Sequence, residues 1–409
     1  MGNVIWLQTN SSAIFGKNSN SRTIQTLELV QPRIPADCLT IDLLRLPVPD
    51  RGCACAVTKS IQETGASMGV NDYGVAISVE PAFTRIKHRQ TGLSGLVMLQ
   101  SALMSAQSAE EALQILITLL ETQGQGGACR NHGSLPCGTV FLLCDRKQAF
   151  VFETAGNYWA WKEAGNYTSL GNSYTITTDF KRLDAYTRKM LAPVNDAMAC
   201  LDEADAGRIG TKSSWKQFAE HKFLTRLTQC DSGRAAVQKA LHTMLSSESN
   251  DIIMNVMELM RSHKVSELHG HAVQLCNHNL NIFSKPTASS MLVQYMPQRE
   301  DFVIWFTGAP YTCANLYKPI LCHDKQFIPL WVLYDYNAHA KASRLYWQYR
   351  KEKLKNIRKK YAYYFYDELQ ERQKSIIEAV DAVCNGTTSI DSARTVIRQA
   401  VEYWDTRMI

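Results

Sequence analysis

What this sequence lacks narrows its class first. No stretch of its 409 residues approaches the ~18 consecutive apolar residues of a membrane span. Its first residues have neither the basic flank nor the continuous apolar run of a secretory signal. Gly2 stands where myristoylation needs it, but Trp6 occupies the place where that motif wants Ser or Thr. The twelve cysteines include no Cys-x-x-Cys pair, and most lie in apolar surroundings such as Leu142-Leu143-Cys144. Gly124-Gln125-Gly126-Gly127 follows a helical pattern, so it lacks the strand–loop–helix context of a phosphate cradle. Charge of one sign is also scarce: 44 Lys and Arg against 38 Asp and Glu leave a net +6. That excess does not call for nucleic acid or an anionic membrane. The expectation is a cytoplasmic protein with reduced, mostly buried thiols, no membrane span, and no nucleic-acid partner. Oligomeric state cannot be read from these residues.

What is present is ordinary globular composition, 45% hydrophobic and 20% charged, long enough for one large core or two domains. Residues 1–90 read as strands. Val4–Leu7 and Ala13–Phe15 flank Thr9-Asn10-Ser11-Ser12, a hairpin turn composition, and Val75–Val79 is another strand. Residues 93–123 read as two helices. The second opens on Ser108-Ala109-Glu110-Glu111, a capping box, and stops at Gly124. Strands are expected at Thr139–Cys144, Ala149–Thr154, Tyr158–Lys162 and Tyr174–Ile176, then again at Ser290–Tyr295 and Phe302–Phe306. Residues 180–262 read as mainly helical. A long helical pattern fills 340–383, ends at Asn385-Gly386, and a last helix follows Ser389. This order fits an α+β fold, a four-layer αββα sandwich of two antiparallel sheets. Residues 1–330 would form it, with a C-terminal helical extension, 331–409, packed on it.

Several blocks carry a family resemblance. Phe15-Gly16-Lys17-Asn18-Ser19-Asn20 follows the first apolar run. Gly65-Ala66-Ser67-Met68-Gly69-Val70-Asn71-Asp72-Tyr73-Gly74-Val75 comes next, then Glu121–Gly127. Cys144-Asp145-Arg146 precedes Phe152-Glu153-Thr154-Ala155-Gly156-Asn157-Tyr158-Trp159-Ala160. Thr287–Met291, Trp305–Pro310 and Lys318-Pro319 close the series. In order and spacing this resembles the secernins and their relatives, the cysteine dipeptidases of the N-terminal-nucleophile hydrolase superfamily. The resemblance implies hydrolysis of small peptide or amide bonds by an N-terminal thiol. The residue's own α-amine serves as base, because its pKa lies near neutrality. No cofactor is implied.

By the same resemblance Asn71 is the oxyanion-hole candidate, and Asn172, in Leu170-Gly171-Asn172-Ser173, orients the α-amine. Lys17 would depress a thiol pKa or hold a substrate carboxylate. Asn20 stands where many relatives have Asp, and so lacks the charge that would hold an ammonium. Plainer readings make Asn71 and Asn172 turn or loop residues and Lys17 an exposed strand lysine. The nucleophile slot falls at or next to Met1, and Met1-Gly2-Asn3 offers no Cys. The chain as written is therefore expected to be an inactive or weakened family member, a pseudoenzyme. Two alternatives stand beside this. One is an active dipeptidase whose start is misassigned, acting on a small peptide or amide. The other is a non-enzymatic adaptor that binds an acidic surface through 341–360, where nine Lys or Arg face one acid, Glu352.

Two further groups bear on chemistry. His269, His271, Cys276 and His278 could in principle ligate zinc, but packing and hydrogen bonding are the favoured reading, with no metal expected. Cys53 and Cys55 are expected to be buried structural thiols. For 341–360 the plainer expectation is a solvated helix whose stripe Leu345, Leu354 and Ile357 docks on the body.

Overall fold

The computed structural model describes residues 2–10, 12–31, 39–41, 44–46, 52–60, 63–86, 92–126, 137–191, 214–227, 233–246, 251–263, 275–278, 285–296, 299–308, 310–331, 340–354 and 365–407. Its strands are β1 (Asn3–Gln8), β2 (Ala13–Asn20), β3 (Gln25–Val30), β4 (Leu39–Ile41), β5 (Leu44–Leu46), β6 (Cys55–Ser60), β7 (Met68–Asn71), β8 (Ala76–Phe83), β9 (Cys137–Cys144), β10 (Ala149–Ala155), β11 (Tyr158–Glu163), β12 (Tyr167–Leu170), β13 (Arg182–Leu183), β14 (Thr287–Tyr295), β15 (Phe302–Thr307), β16 (Lys318–His323) and β17 (Gln326–Pro329). The helices are α1 (Gly95–Leu103), α2 (Ala109–Gln123), α3 (Ala185–Leu191), α4 (Trp215–Ala219), α5 (Lys222–Leu227), α6 (Arg234–Ser246), α7 (Ile252–Arg261), α8 (Ala340–Leu354), α9 (Tyr366–Cys384) and α10 (Ile390–Arg407).

Two antiparallel sheets face each other. One runs β12-β1-β2-β14-β15-β16-β17, the other β13-β11-β10-β9-β8-β7-β6-β3. Side chains alternate along each strand, so every strand serves two layers. In β8, Ala76 and Ala82 join the core that includes Val4, Trp6, Phe15 and Met291, while Ile77 and Val79 join a second core with Leu99, Leu103, Leu113 and Leu116. That second core is sealed by α1 and α2. On the other side α6 packs on β12 and β1, and α7 on β2. The expected four-layer αββα order is the one observed.

Local signals explain the elements. Glu111 N donates to Ser108 Oγ at 3.1 Å, capping α2, while the Glu111 carboxylate takes the Gln107 amide at 2.8 Å. Gly124, at φ 72°, ends that helix. Pro81 fits inside β8 because β7 has already ended its pairing with β8 at Ser78, so no neighbouring strand needs the missing N–H. One expected strand is absent: Tyr174–Ile176 is irregular. Its Thr175 and Ile176 amides donate to the buried Glu153 carboxylate at 2.6 and 3.3 Å, so a side chain replaces the ladder.

The C-terminal helices pack on the body. Gln373 Oε1 accepts from Arg261 Nη2 at 2.7 Å and from Tyr317 N at 2.8 Å, and Trp404 Nε1 donates to Ala314 O at 3.1 Å. The docking face of α8 differs from the expected stripe. Leu345 is 58% exposed, and among the side chains described on this helix the buried ones are Tyr346, Trp347 and Arg350. Arg350 Nη1 lies 3.2 Å from Asp405 Oδ1, and Nη2 donates to Asn315 Oδ1 at 2.9 Å. An aromatic pair and one internally paired cation thus dock here, where Leu345 does not. Ile357 lies outside the described residues. Cys53 and Cys55 are buried, as expected, and burial pushes the Cys53 thiol up to about 12. Among the described residues no helix is long and apolar enough to cross a membrane.

Candidate functional site

The chain's leading segment enters between the two sheets. β1 pairs with β2 through Asn3↔Asn18 and with β12 through Val4↔Leu170, so residue 2 lies beside the ends of both neighbours. Gly2 is buried, and its N donates to Glu80 Oε2 at 2.9 Å and to Asn172 Oδ1 at 3.1 Å. Asn172 lies two residues past the end of β12 and turns its other end the same way. Its Nδ2 donates to Glu80 Oε2 at 3.0 Å and to Pro81 O at 2.9 Å.

Lys17 completes the group. It projects from β2 into the space between the sheets and meets Glu80 Oε1 of the facing sheet at 3.0 Å. Its remaining two protons go to Ser67 O at 2.8 Å and Val79 O at 2.5 Å. Lys17 is 2% exposed, Glu80 3% and Asn172 4%. Burial pulls the Lys17 pKa below its ordinary value, and the Glu80 carboxylate opposes that pull. Three acceptors around one Nζ suit the ammonium form.

Two of the four sequence candidates therefore meet here, Lys17 and Asn172, and two do not. Asn71 ends β7 with its side chain toward the helical layer, because Met68 and Val70 fill the inner face. Its Nδ2 donates to Leu103 O at 2.9 Å and Ala106 O at 2.6 Å, and its Oδ1 accepts from Tyr73 N at 3.1 Å and Val75 N at 2.9 Å. Every polar site of Asn71 is spent on tying the β7–β8 turn to the α1–α2 turn. It lies five strand residues from Glu80, roughly 16 Å, and on the opposite face of the sheet. Asn20 is displaced by the same parity. It sits three residues beyond Lys17, and its Oδ1 accepts from Thr287 Oγ1 at 2.9 Å, on the α7 side of β2. The structure thus places Asn71 and Asn20 in hydrogen bonds away from the Lys17–Glu80–Asn172 group.

Glu80 is the site residue the sequence reading missed. The available signal was a lone acid in the apolar run Val75–Phe83, since a charge there must be buried and paired. Glu153 in β10 has the same signature and the same fate: it is buried and accepts from Trp215 Nε1 at 2.9 Å.

The arrangement grips a nitrogen and commits its own donors internally. Position 2 has no side chain. A Cβ built on Gly2 would collide with Glu80 Oε1 and with the Asn18 carbonyl oxygen, far inside van der Waals contact. The three protons of Lys17 and the two of the Asn172 amide are all committed, so neither residue has a donor left for an oxyanion. The single carboxylate is no metal cage. The surface cleft along β11, β12 and α6, lined by Lys162, Tyr167, Lys181, Lys239 and His242, contains none of these residues.

No protein-family model matches the chain. Among solved structures it is similar to penicillin V acylase from Agrobacterium tumefaciens at 12% identity, over 76% of this chain and 84% of that one, with a TM-score of 0.44. A mutant conjugated bile acid hydrolase from Clostridium perfringens shares 13% identity over 82% of this chain and 98% of its own, with a TM-score of 0.48. An N-acylethanolamine-hydrolyzing acid amidase ortholog from Caenorhabditis elegans shares 10% over 41% and 68%, with a TM-score of 0.26. At these levels the likeness assigns neither a family nor a substrate.

Proposed function

We propose that this chain is a secernin-like protein of the N-terminal-nucleophile hydrolase type whose catalytic slot is closed, so that it binds rather than cleaves. The class chemistry would be hydrolysis of a small peptide or amide bond. The observation that carries this reading is the Glu80 carboxylate. It occupies the space a side chain on residue 2 would need, and it draws the Lys17 ammonium and the Asn172 amide to itself. Lys17 then holds an internal carboxylate where a relative would present its cation to a thiol or a substrate.

The test uses protein whose first residue has been fixed by intact mass. Chains beginning at Met1 or Gly2 are assayed with dipeptides, penicillin V and a conjugated bile acid. The expected result is no turnover above the uncatalysed rate, and none gained by Gly2→Cys alone, because Glu80 blocks the new side chain. Hydrolysis by either chain overturns the reading. So does finding that protein from its own cell begins with Cys, Ser or Thr, which would favour the active dipeptidase.

A further inference from the structure

Four residues from three separate segments converge beside the outer face of the first sheet. His263 lies two residues past the end of α7. Cys276 and His278 lie in the described stretch 275–278, between α7 and β14. Cys313 sits in the 3₁₀ turn Thr312–Ala314 between β15 and β16. Their ligand-capable atoms all lie within 4.8 Å of one another. His278 Nε2 is 3.2 Å from His263 Nε2, 3.5 Å from Cys276 Sγ and 3.1 Å from Cys313 Sγ. A tetrahedral zinc with bonds of about 2.1 Å to nitrogen and 2.3 Å to sulfur sets its ligand atoms roughly 3.4–3.8 Å apart. The observed spacings are close to that. Cys276 is fully buried, Cys313 is 4% exposed and His263 8%.

The backbone beside the cluster is also held in an unusual state. Tyr311 has φ 69°, the left-handed region that a bulky residue rarely adopts. Its amide donates to Thr287 O at 2.9 Å, and its ring lies over the His278 imidazole with centroids 4.1 Å apart. This bend brings Cys313 back toward Cys276 and His278.

We propose that His263, Cys276, His278 and Cys313 bind one zinc ion in a closed Cys₂His₂ site. On binding, each thiol loses its proton to solvent, and the two thiolates balance the dication. Four protein ligands leave no open position, so the metal clamps rather than catalyses. It would join the end of α7 to the segment before β14 and to the turn before β16. Asn18, the neighbour of Lys17 on β2, donates to Met260 O at 2.8 Å and to Leu275 O at 2.9 Å, so β2 is tied to both sides of the clamp. Sequence reading grouped Cys276 and His278 with His269 and His271, which lie outside the described residues. The partners found here, His263 and Cys313, are 13 residues before and 37 residues after Cys276 in number, and no short motif connects them.

The test is elemental analysis of the full-length, tag-free protein purified under reducing conditions without chelator. About one zinc per chain is expected, and fewer than about a tenth in the Cys276→Ser/Cys313→Ser double variant. Because that variant could fail to fold, cobalt(II) is exchanged into the unmodified protein. Thiolate-to-cobalt charge transfer with the intense visible bands of a tetrahedral ion is the expected signature. A metal-free protein with both thiols reactive overturns the proposal. So does a Cys276–Cys313 disulfide in peptide mapping, or a weak octahedral cobalt spectrum.

Discussion

Changing Glu80 to Gln tests the inter-sheet cluster with a single atom. Glu80 receives three donors, from Lys17, Gly2 and Asn172, split between its two oxygens. A carboxamide has one oxygen and one NH₂. If its oxygen faces Lys17, its NH₂ confronts the Gly2 N–H and the Asn172 amide. If it is flipped, the NH₂ confronts the Lys17 ammonium. Either orientation sets donors against donors and leaves a buried cation without its counter-charge, which costs about 3–5 kcal/mol. An unfolding entropy near 2.1 cal/mol/K per residue over 409 residues converts this to a melting decrease of about 4–6 °C. Differential scanning calorimetry reads it. A double-mutant cycle with Lys17→Met isolates the pair, and Lys17→Met/Glu80→Gln should be less destabilised than the two single losses combined, by about 2 kcal/mol. If Glu80→Gln costs less than about 1 kcal/mol, or if the two changes are additive, the cluster is not a closed electrostatic unit.

Three other outcomes follow from the same geometry. Asn71→Ala removes four hydrogen bonds from a fully buried residue and should cost about 3 kcal/mol in denaturant unfolding, without altering the nitrogen-gripping cluster; a neutral result would contradict the structural role given to Asn71. Gly138→Ala puts a Cβ into the Thr154 carbonyl oxygen and the Tyr174 hydroxyl, and should destabilise by about 2 kcal/mol or more, read as a lowered melting temperature. Lys318 lies near the rings of Trp347, Trp331 and Tyr346, and burial pulls its pKa from 10.5 down to about 7, against the opposing Asp405 charge. Between those values the unfolded chain holds a proton that the folded chain has released, so stability rises with pH by up to about 1.4 kcal/mol per unit. The stability of wild type relative to Lys318→Met should therefore climb from about pH 7 toward pH 10 and stay level below it; a flat difference would mean the aromatic faces keep the ammonium charged.

Much of the architecture was legible because the strands and helices carry local signals. The hairpin of β1 and β2, the capped start of α2 and its glycine stop, and the apolar runs of β9, β10, β14 and β15 all lie where composition put them. Tyr174–Ile176 misled because its alternation is real but the Thr175 and Ile176 amides are answered by Glu153, 22 and 23 positions away. The docking face of α8 misled because Arg350, read as a solvent cation, is paired inside with Asp405 and Asn315, a match that depends on α10 and on the turn before β16.

The site was half legible, and the division follows one physical rule. A motif fixes distance along a strand, but the face is set by register, and one residue of parity moves a side chain to the other layer. Lys17 and Asn20 differ by an odd number, so Lys17 enters the space between the sheets while Asn20 bonds Thr287 on the far side. Asn71 and Glu80 also differ by an odd number across the β7–β8 turn, whose geometry turns Asn71 toward the helices and Glu80 toward Lys17. Only Asn172 escapes the rule, because it lies past the end of β12, where the chain is free to turn its amide inward. The centre of the cluster is then a residue in no motif at all. Glu80 is invisible as a catalytic pattern, yet as a lone acid in an apolar strand it had to find donors, as Glu153 does among neutral ones. Among the described residues of the facing sheet, Lys17 is the one that meets it.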